Sequence, residues 1–168
     1  DHAALYRRMA GQLTDEFAIV PQRADWAIGR GWLIKGYRLL IWGDYAAGER
    51  AIAEGARCGA VADRDYVSEV VHQLRGCERE QGVAVAAAAA QRLDAAMRKH
   101  LRGAKVPSFT GALNIARAFE HYAAGRSADV PPAVLTAMRH DPSHILNRGA
   151  LAIFVRSMIR PQAKASQA

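Results

Sequence analysis

The sequence predicts an all-α protein, an irregular bundle of about eight helices that includes one helix–turn–helix hairpin. Three observations carry this. The 168 residues are 51% hydrophobic but only 7% aromatic, and much of the apolar share is Ala, the best helix former and a poor strand former. Alternating runs of β-branched residues are nearly absent. Apolar residues instead recur three and four apart, between Gly, Pro and Asp breaks.

The elements follow in chain order. A first helix spans about 2–19, with Leu5, Met9, Leu13 and Phe17 four apart. Pro21 punctuates it, and Asp25 is a candidate cap for a helix to Trp42 whose stripe is Trp32, Tyr37, Leu40 and Ile41. Gly43-Asp44 breaks that helix, Asp44 caps its partner up to about Cys58, and Gly59 is a natural stop. A fourth helix, about Asp63 to Glu80, buries Tyr66, Val70, Val71 and Leu74. Gly82 separates it from a fifth, Val83 to Arg102, whose last turn carries Arg98, Lys99, His100 and Arg102 where the helix dipole favours cations.

Residues 105–109 read as a linker. The sixth helix, about Thr110 to Ala124, turns Leu113, Ala116, Phe119 and Ala123 inward and stops at Gly125. Pro131-Pro132 open a short helix that Pro142 ends near His140. Ser143 is the candidate cap of the last helix, Ile145 to Ile159, with an inward stripe of Leu151, Phe154, Val155 and Met158. One helical domain over 1–160 results, with a weak break near 104–109 and a polar tail at 161–168 that reads as disordered.

Residues 29–62 carry Trp32, then Gly36, then Gly43-Asp44-Tyr45, with Gly48 and Gly55 flanking Ile52. The aromatic wedges between helices, the small residues let two backbones approach, and Gly-Asp reverses the chain. On these residues the segment resembles a single tetratricopeptide repeat unit, departing from it at Lys35 and Leu39. The resemblance implies a partner-binding groove between adjacent helices, with Trp32, Tyr37, Arg38 and Tyr45 as its contact residues. Hairpins with a Gly-Asp turn and Ala/Arg-rich flanks are also similar to the helical C-terminal appendages of some bacterial family 2 glycosyltransferases. That likeness implies an accessory domain that orients a catalytic domain or its acceptor.

The formal net charge is +7, and Lys occurs only at 35, 99, 105 and 164. The charges are spread along the chain, as codon bias in a GC-rich bacterial genome would leave them. The densest footprint for phosphates or an acidic partner is Arg92, Arg98, Lys99 and Arg102 on the fifth helix, without the interleaved aromatics of a stacking platform. The last helix, flanked by Arg148, Arg156, Arg160 and Lys164, has the make-up of a peripheral membrane contact, although such a stripe more often closes a core. No stretch has the ~20 apolar residues of a membrane span.

Cys58 and Cys77 form no CxxC pair and read as free thiols of a cytoplasmic protein. His140-Asp141-Pro142-Ser143-His144 is the one dense group of metal-type ligands, but Pro142 prevents both imidazoles from sharing a helix face, and Asp141 and Ser143 are what a turn and a cap require. No metal or cofactor is expected. The three tryptophans read as packing residues. There is no Gly-rich phosphate loop, GxSxG or HExxH, and Asp15-Glu16 and Glu78/Glu80 are surface-type carboxylates, so no catalytic residues are expected.

The functional expectation is a non-catalytic protein-interaction module, part of a longer bacterial protein because the chain opens on Asp1 and not Met. Its partner is another protein or an adjacent domain of the same polypeptide. For the alternative of a basic nucleic-acid-binding module, affinity falls steeply with salt and the double substitution Lys99→Glu with Arg102→Glu abolishes binding. Unchanged binding by that variant in a filter-retention assay excludes it.

Overall fold

In the computed structural model the described residues are 21–101 and 106–159, with Ala4 and Arg8 ahead of them. Among them are seven α-helices and no strand: α1 (Pro21–Trp42), α2 (Tyr45–Arg57), α3 (Arg64–Gln81), α4 (Val83–His100), α5 (Phe109–Ala123), α6 (Val130–His140) and α7 (Arg148–Ile159). Short 3-10 segments at Ser127–Asp129 and Pro142–Leu146 precede α6 and α7. The all-α class is found, with seven helices against about eight expected. The expected helix at 2–19 and the tail at 161–168 lie outside the described residues.

The chain gathers into two compact units. One comprises Asp1–Tyr66 and Ala95–Val106, the other Val67–Asp94 and Pro107–Ala168. One crossing lies at 106–107. The other two crossings fall within α3 and α4, where an unbroken helical pattern gives no sign of them.

In the first unit α1 opens at Pro21, not at Asp25, because proline is well placed in a first helical turn, where its missing N–H costs nothing. Asp44 caps α2 by accepting from the Ala47 amide at 3.1 Å, and Gly43 supplies the reversal at φ 109°. Four glycines set the α1–α2 seam. A Cβ built on Gly36 would stand 2.6 Å from Ile52 Cγ1 and 3.1 Å from the Gly48 carbonyl. On Gly48 it would stand 2.9 Å from the Leu40 amide nitrogen. Gly29 and Gly55 face each other in the same way, a Cβ on Gly55 lying 3.0 Å from the Gly29 carbonyl.

Leu33, Tyr37, Ile52 and Tyr66 are fully buried. The Tyr66 hydroxyl donates to the Leu33 carbonyl at 3.1 Å, and its ring meets Tyr37 edge-on with centroids 5.8 Å apart. Asp63 holds this corner, accepting from the Tyr66 amide at 2.8 Å and from Arg30 Nη1 at 2.7 Å.

The second unit is organised around a buried carboxylate. Asp94 on α4 is 2% exposed and accepts from the Phe109 amide at 2.6 Å, the Thr110 amide at 3.3 Å and the Ser108 hydroxyl at 3.2 Å. Ser108 in turn caps α5 by accepting from the Gly111 amide at 3.0 Å. Phe109, read from the sequence as linker, is therefore the first residue of α5 and fully buried. The buried face of α5 is Phe109, Leu113, Ile115 and Ala118, whereas Phe119 is 40% exposed and Ala123 is exposed. Ala118 meets Val130, Val134 and Ile153 in one cluster, and Ile115 meets Ala137 and Ala150 in another.

α7 departs from expectation in part: it buries Ala150, Ile153 and Ser157, keeps Leu151 and Phe154 half-buried with Phe154 packed on the core, and exposes Val155 and Met158. Small residues at 150 and 157 let it lie close to its neighbours. Its cap is Asn147, which accepts from the Ala150 amide at 3.1 Å, not Ser143. Glu78, expected at the surface, is only 12% exposed and receives Arg117 Nε at 3.0 Å and the guanidinium of Arg75, which also donates to Glu120 at 2.9 Å. No described helix is long and apolar enough to cross a membrane.

Gly48→Ala is expected to lower unfolding stability by about 1–3 kcal/mol, the usual cost of forcing atoms into a packed seam. Gly31→Ala, on the open side of α1 with nothing within 4 Å of the added methyl, is expected to raise it by up to about 1 kcal/mol. Urea denaturation followed by circular dichroism checks both, and equal shifts would contradict a steric seam.

Candidate partner-binding groove

A shallow groove of about 280 Å³ runs beside the α1–α2 seam, lined by Trp32 and Lys35 from α1 and by Ala47, Arg50, Ala51 and Glu54 from α2. Its position follows from the seam. Gly29, Gly36, Gly48 and Gly55 occupy the contact line, so the residues beside them on each helix form the flanks. The Lys35 ammonium lies 5.1 Å from the centroid of the Trp32 ring, a cation–π contact between two residues of the groove's own lining. Glu54 is engaged by Arg57, which leaves Lys35 and Arg50 as the net charge of the groove.

The far side of Arg50 borders a second hollow of about 240 Å³, lined by Ala46, Glu49, Ala53 and His100. Glu49 is paired there with Lys99 and lies 3.3 Å from His100 Nε2. The Lys99 and His100 hydrogen bonds hold the Glu49 carboxyl below its ordinary range. What such a surface offers is recognition: an indole wall, a methyl floor and two cations on a rigid helix pair.

The residues expected at a groove are not all brought together. Trp32 lines it. Tyr37 does not: it is fully buried against Tyr66, with the Arg38 guanidinium 6.0 Å from its ring centroid. Arg38 is exposed, and Tyr45, 44% exposed, stands at the start of α2. Trp26 and Trp42 are 51% and 47% exposed, so burial claims neither as fully as the sequence reading supposed.

Arg50, Ala47 and Ala51 were not foreseen. They form the next row round α2 from the Gly48–Ile52–Gly55 stripe, and that stripe, once placed on the seam, gives them away. On α4, Arg92 and Arg98 are exposed, but Lys99 is engaged by Glu49, and Arg102 lies outside the described residues.

Elsewhere, the second unit has a hollow of about 590 Å³ lined by Tyr122, Ser127, Arg156 and Ile159, whose rim ends at the last described residue. No three His, Cys, Asp or Glu side chains converge as a metal ion requires among the described residues, His140, Asp141 and His144 included. Cys58 and Cys77 are free, and burial raises the Cys77 thiol. Comparison with known proteins gives no match of the chain to a family model, to a curated protein or to a solved structure.

Asp63 holds a corner of the same unit through Arg30 and the Tyr66 amide, and its protonation is predictable. Burial pushes this carboxyl up, but the Tyr66 amide and Arg30 outweigh it and hold it below 3.8, its ordinary value. The folded state thus binds this proton more weakly than the unfolded chain does. The stability it confers is complete above that ordinary value and is lost as pH falls through the lowered one. Asp63→Asn is expected to flatten the acid end of the stability–pH curve, measured as urea midpoints between about pH 2 and 6. An unchanged curve would remove Asp63 from the acid response.

Proposed function

We propose that the protein is a non-catalytic helical interaction module whose tetratricopeptide-like hairpin receives a partner helix or extended segment beside Trp32 and Arg50. The observation that carries this reading is the groove itself, cut between an indole and an exposed guanidinium along a seam packed backbone to backbone. A groove on a rigid helix pair spares the partner's binding energy the cost of ordering the receptor. Arg and Trp are also the side chains whose truncation most often weakens interfaces. The partner belongs to another protein or to an adjoining domain of the same polypeptide. The nucleic-acid alternative has less support, since Lys99 of that face is paired with Glu49.

The test is affinity capture from native lysate, with and without nuclease and at low and high salt, using the wild-type chain, Trp32→Ala and Arg50→Glu. The expected result is a protein that the wild type retains through nuclease treatment and that each variant recovers about tenfold less, equivalent to ~1.4 kcal/mol. Both variants should keep the wild-type urea midpoint. Equal recovery by all three overturns the groove. Recovery of nucleic acid alone, removed by salt, overturns the module.

A further inference from the structure

The 3-10 segment Pro142–Leu146 packs on α6 and α7 with its chemistry reversed. Its two large apolar residues face outward, Ile145 52% and Leu146 83% exposed. Its histidine faces inward: His144 Nε2 is buried without a hydrogen-bond partner and lies 3.0 Å from the point where a Cβ on Gly111 would stand. Gly111 belongs to the first turn of α5, and its own amide is taken by Ser108. A methyl at that position would crowd the imidazole, which would have to give by a few tenths of an ångström, so glycine at 111 lets the ring sit close against α5. The turn is shaped by Asp141, whose carboxylate accepts from the Ser143 amide at 2.9 Å, while the His144 amide donates to the Asp141 carbonyl at 3.1 Å.

We propose that this segment is an acid-released latch: neutral His144 seats it on Gly111 between α6 and α7, and protonation of the imidazole releases it together with Ile145 and Leu146. Two arguments run the same way. His144 Nε2 is buried and makes no hydrogen bond among the described residues, so a cation there would be poorly compensated as the segment sits, the positive end of α5 at Gly111 being set against the Ala137 carbonyl at the end of α6. Burial holds the imidazole below its ordinary 6.5, opposed only in part by Asp141.

The charged groups of the surrounding elements do not rescue it. Arg139 and His140 at the end of α6 and Arg148 at the start of α7 are exposed, and Asp94 is committed to the Phe109 and Thr110 amides. The sign follows. The docked segment binds this proton more weakly than the released one, so docking is complete above the ordinary histidine value and lost as pH falls below it. Release uncovers Gly111 and the neighbouring Ala137, whose cluster with Ile115 and Ala150 joins α5, α6 and α7.

The test is amide hydrogen exchange of the whole chain by NMR, corrected for intrinsic rates, from about pH 8 to about pH 5. The amides followed are those of His144 and Asn147, which close the turn onto Asp141 and His144 carbonyls. The expected result is loss of protection at these amides on acidification in the wild type, no such loss in His144→Gln, and the same loss in His121→Gln. His121 is the right control, a second histidine of this unit whose Nδ1 is buried unpartnered and whose protonation burial and Arg126 also disfavour. Loss that persists in His144→Gln, or is missing from the wild type, overturns the latch. So does loss in step across α5 and α6, which would be unfolding of the unit. Should His144→Gln not fold, the ring resonances of His144 in the wild type decide: titration below the ordinary value supports the latch, and titration at or above it overturns it.

Discussion

Backbone contact between α1 and α2 is the constraint on which the first unit depends. Glycine in a helix interior costs roughly 1 kcal/mol relative to alanine, and this helix pair carries four on one contact line, Gly29 and Gly36 against Gly55 and Gly48. The cost is offset where the backbones meet. Leu33, Leu40 and Ile52 close over the glycines of the opposite helix, and each such side chain gains about 1.5–3 kcal/mol from full burial. Everything too large for the contact line is displaced to its flanks, which is why Trp32, Lys35 and Arg50 border a groove. The groove is a by-product of the packing and needs no flexible loop to build it.

The second unit solves a different problem, that of tying helices together through polar groups inside an alanine-rich core. Asp94 satisfies two amides at the start of α5 that would otherwise be orphaned, and its negative charge meets the positive end of that helix. Arg75 and Arg117 surround Glu78, where burial pushes the carboxyl up but the two guanidinium groups outweigh it and keep it charged. Removing one member of such a set leaves the others buried and unpaired, which costs more than the set contributes when complete. His144 contrasts with both: among the described residues its buried Nε2 has no hydrogen-bond partner, so no polar contact of the imidazole ties its segment down there.

Much of the local structure was legible because its causes are local. Gly43-Asp44, the stop at Gly59 and the core positions Tyr66, Val70 and Leu74 all follow from spacing and turn chemistry within a few residues. The faces of α5 and α7 were not, because a search for the largest apolar stripe chose Phe119, Val155 and Met158, while close helix packing selected Ala118, Ala150 and Ser157. Asp94 was beyond reach for another reason: its partners lie 14 to 16 residues away, and a lone Asp on a helix has no signature of capping another helix. For the groove, Trp32 was legible as an aromatic, whereas Arg50 acquires its role only once the glycine stripe is known to face α1.

The turn at Gly43 decides whether the two glycine faces can meet at all. Its φ of 109° is open to glycine and disfavoured for L side chains by roughly 1–2 kcal/mol. A side chain there would tax the reversal and favour continuing the helix straight from Pro21 to Arg57. The reversal at this one residue is what brings Gly29 and Gly36 of α1 against Gly55 and Gly48 of α2 within a single hairpin.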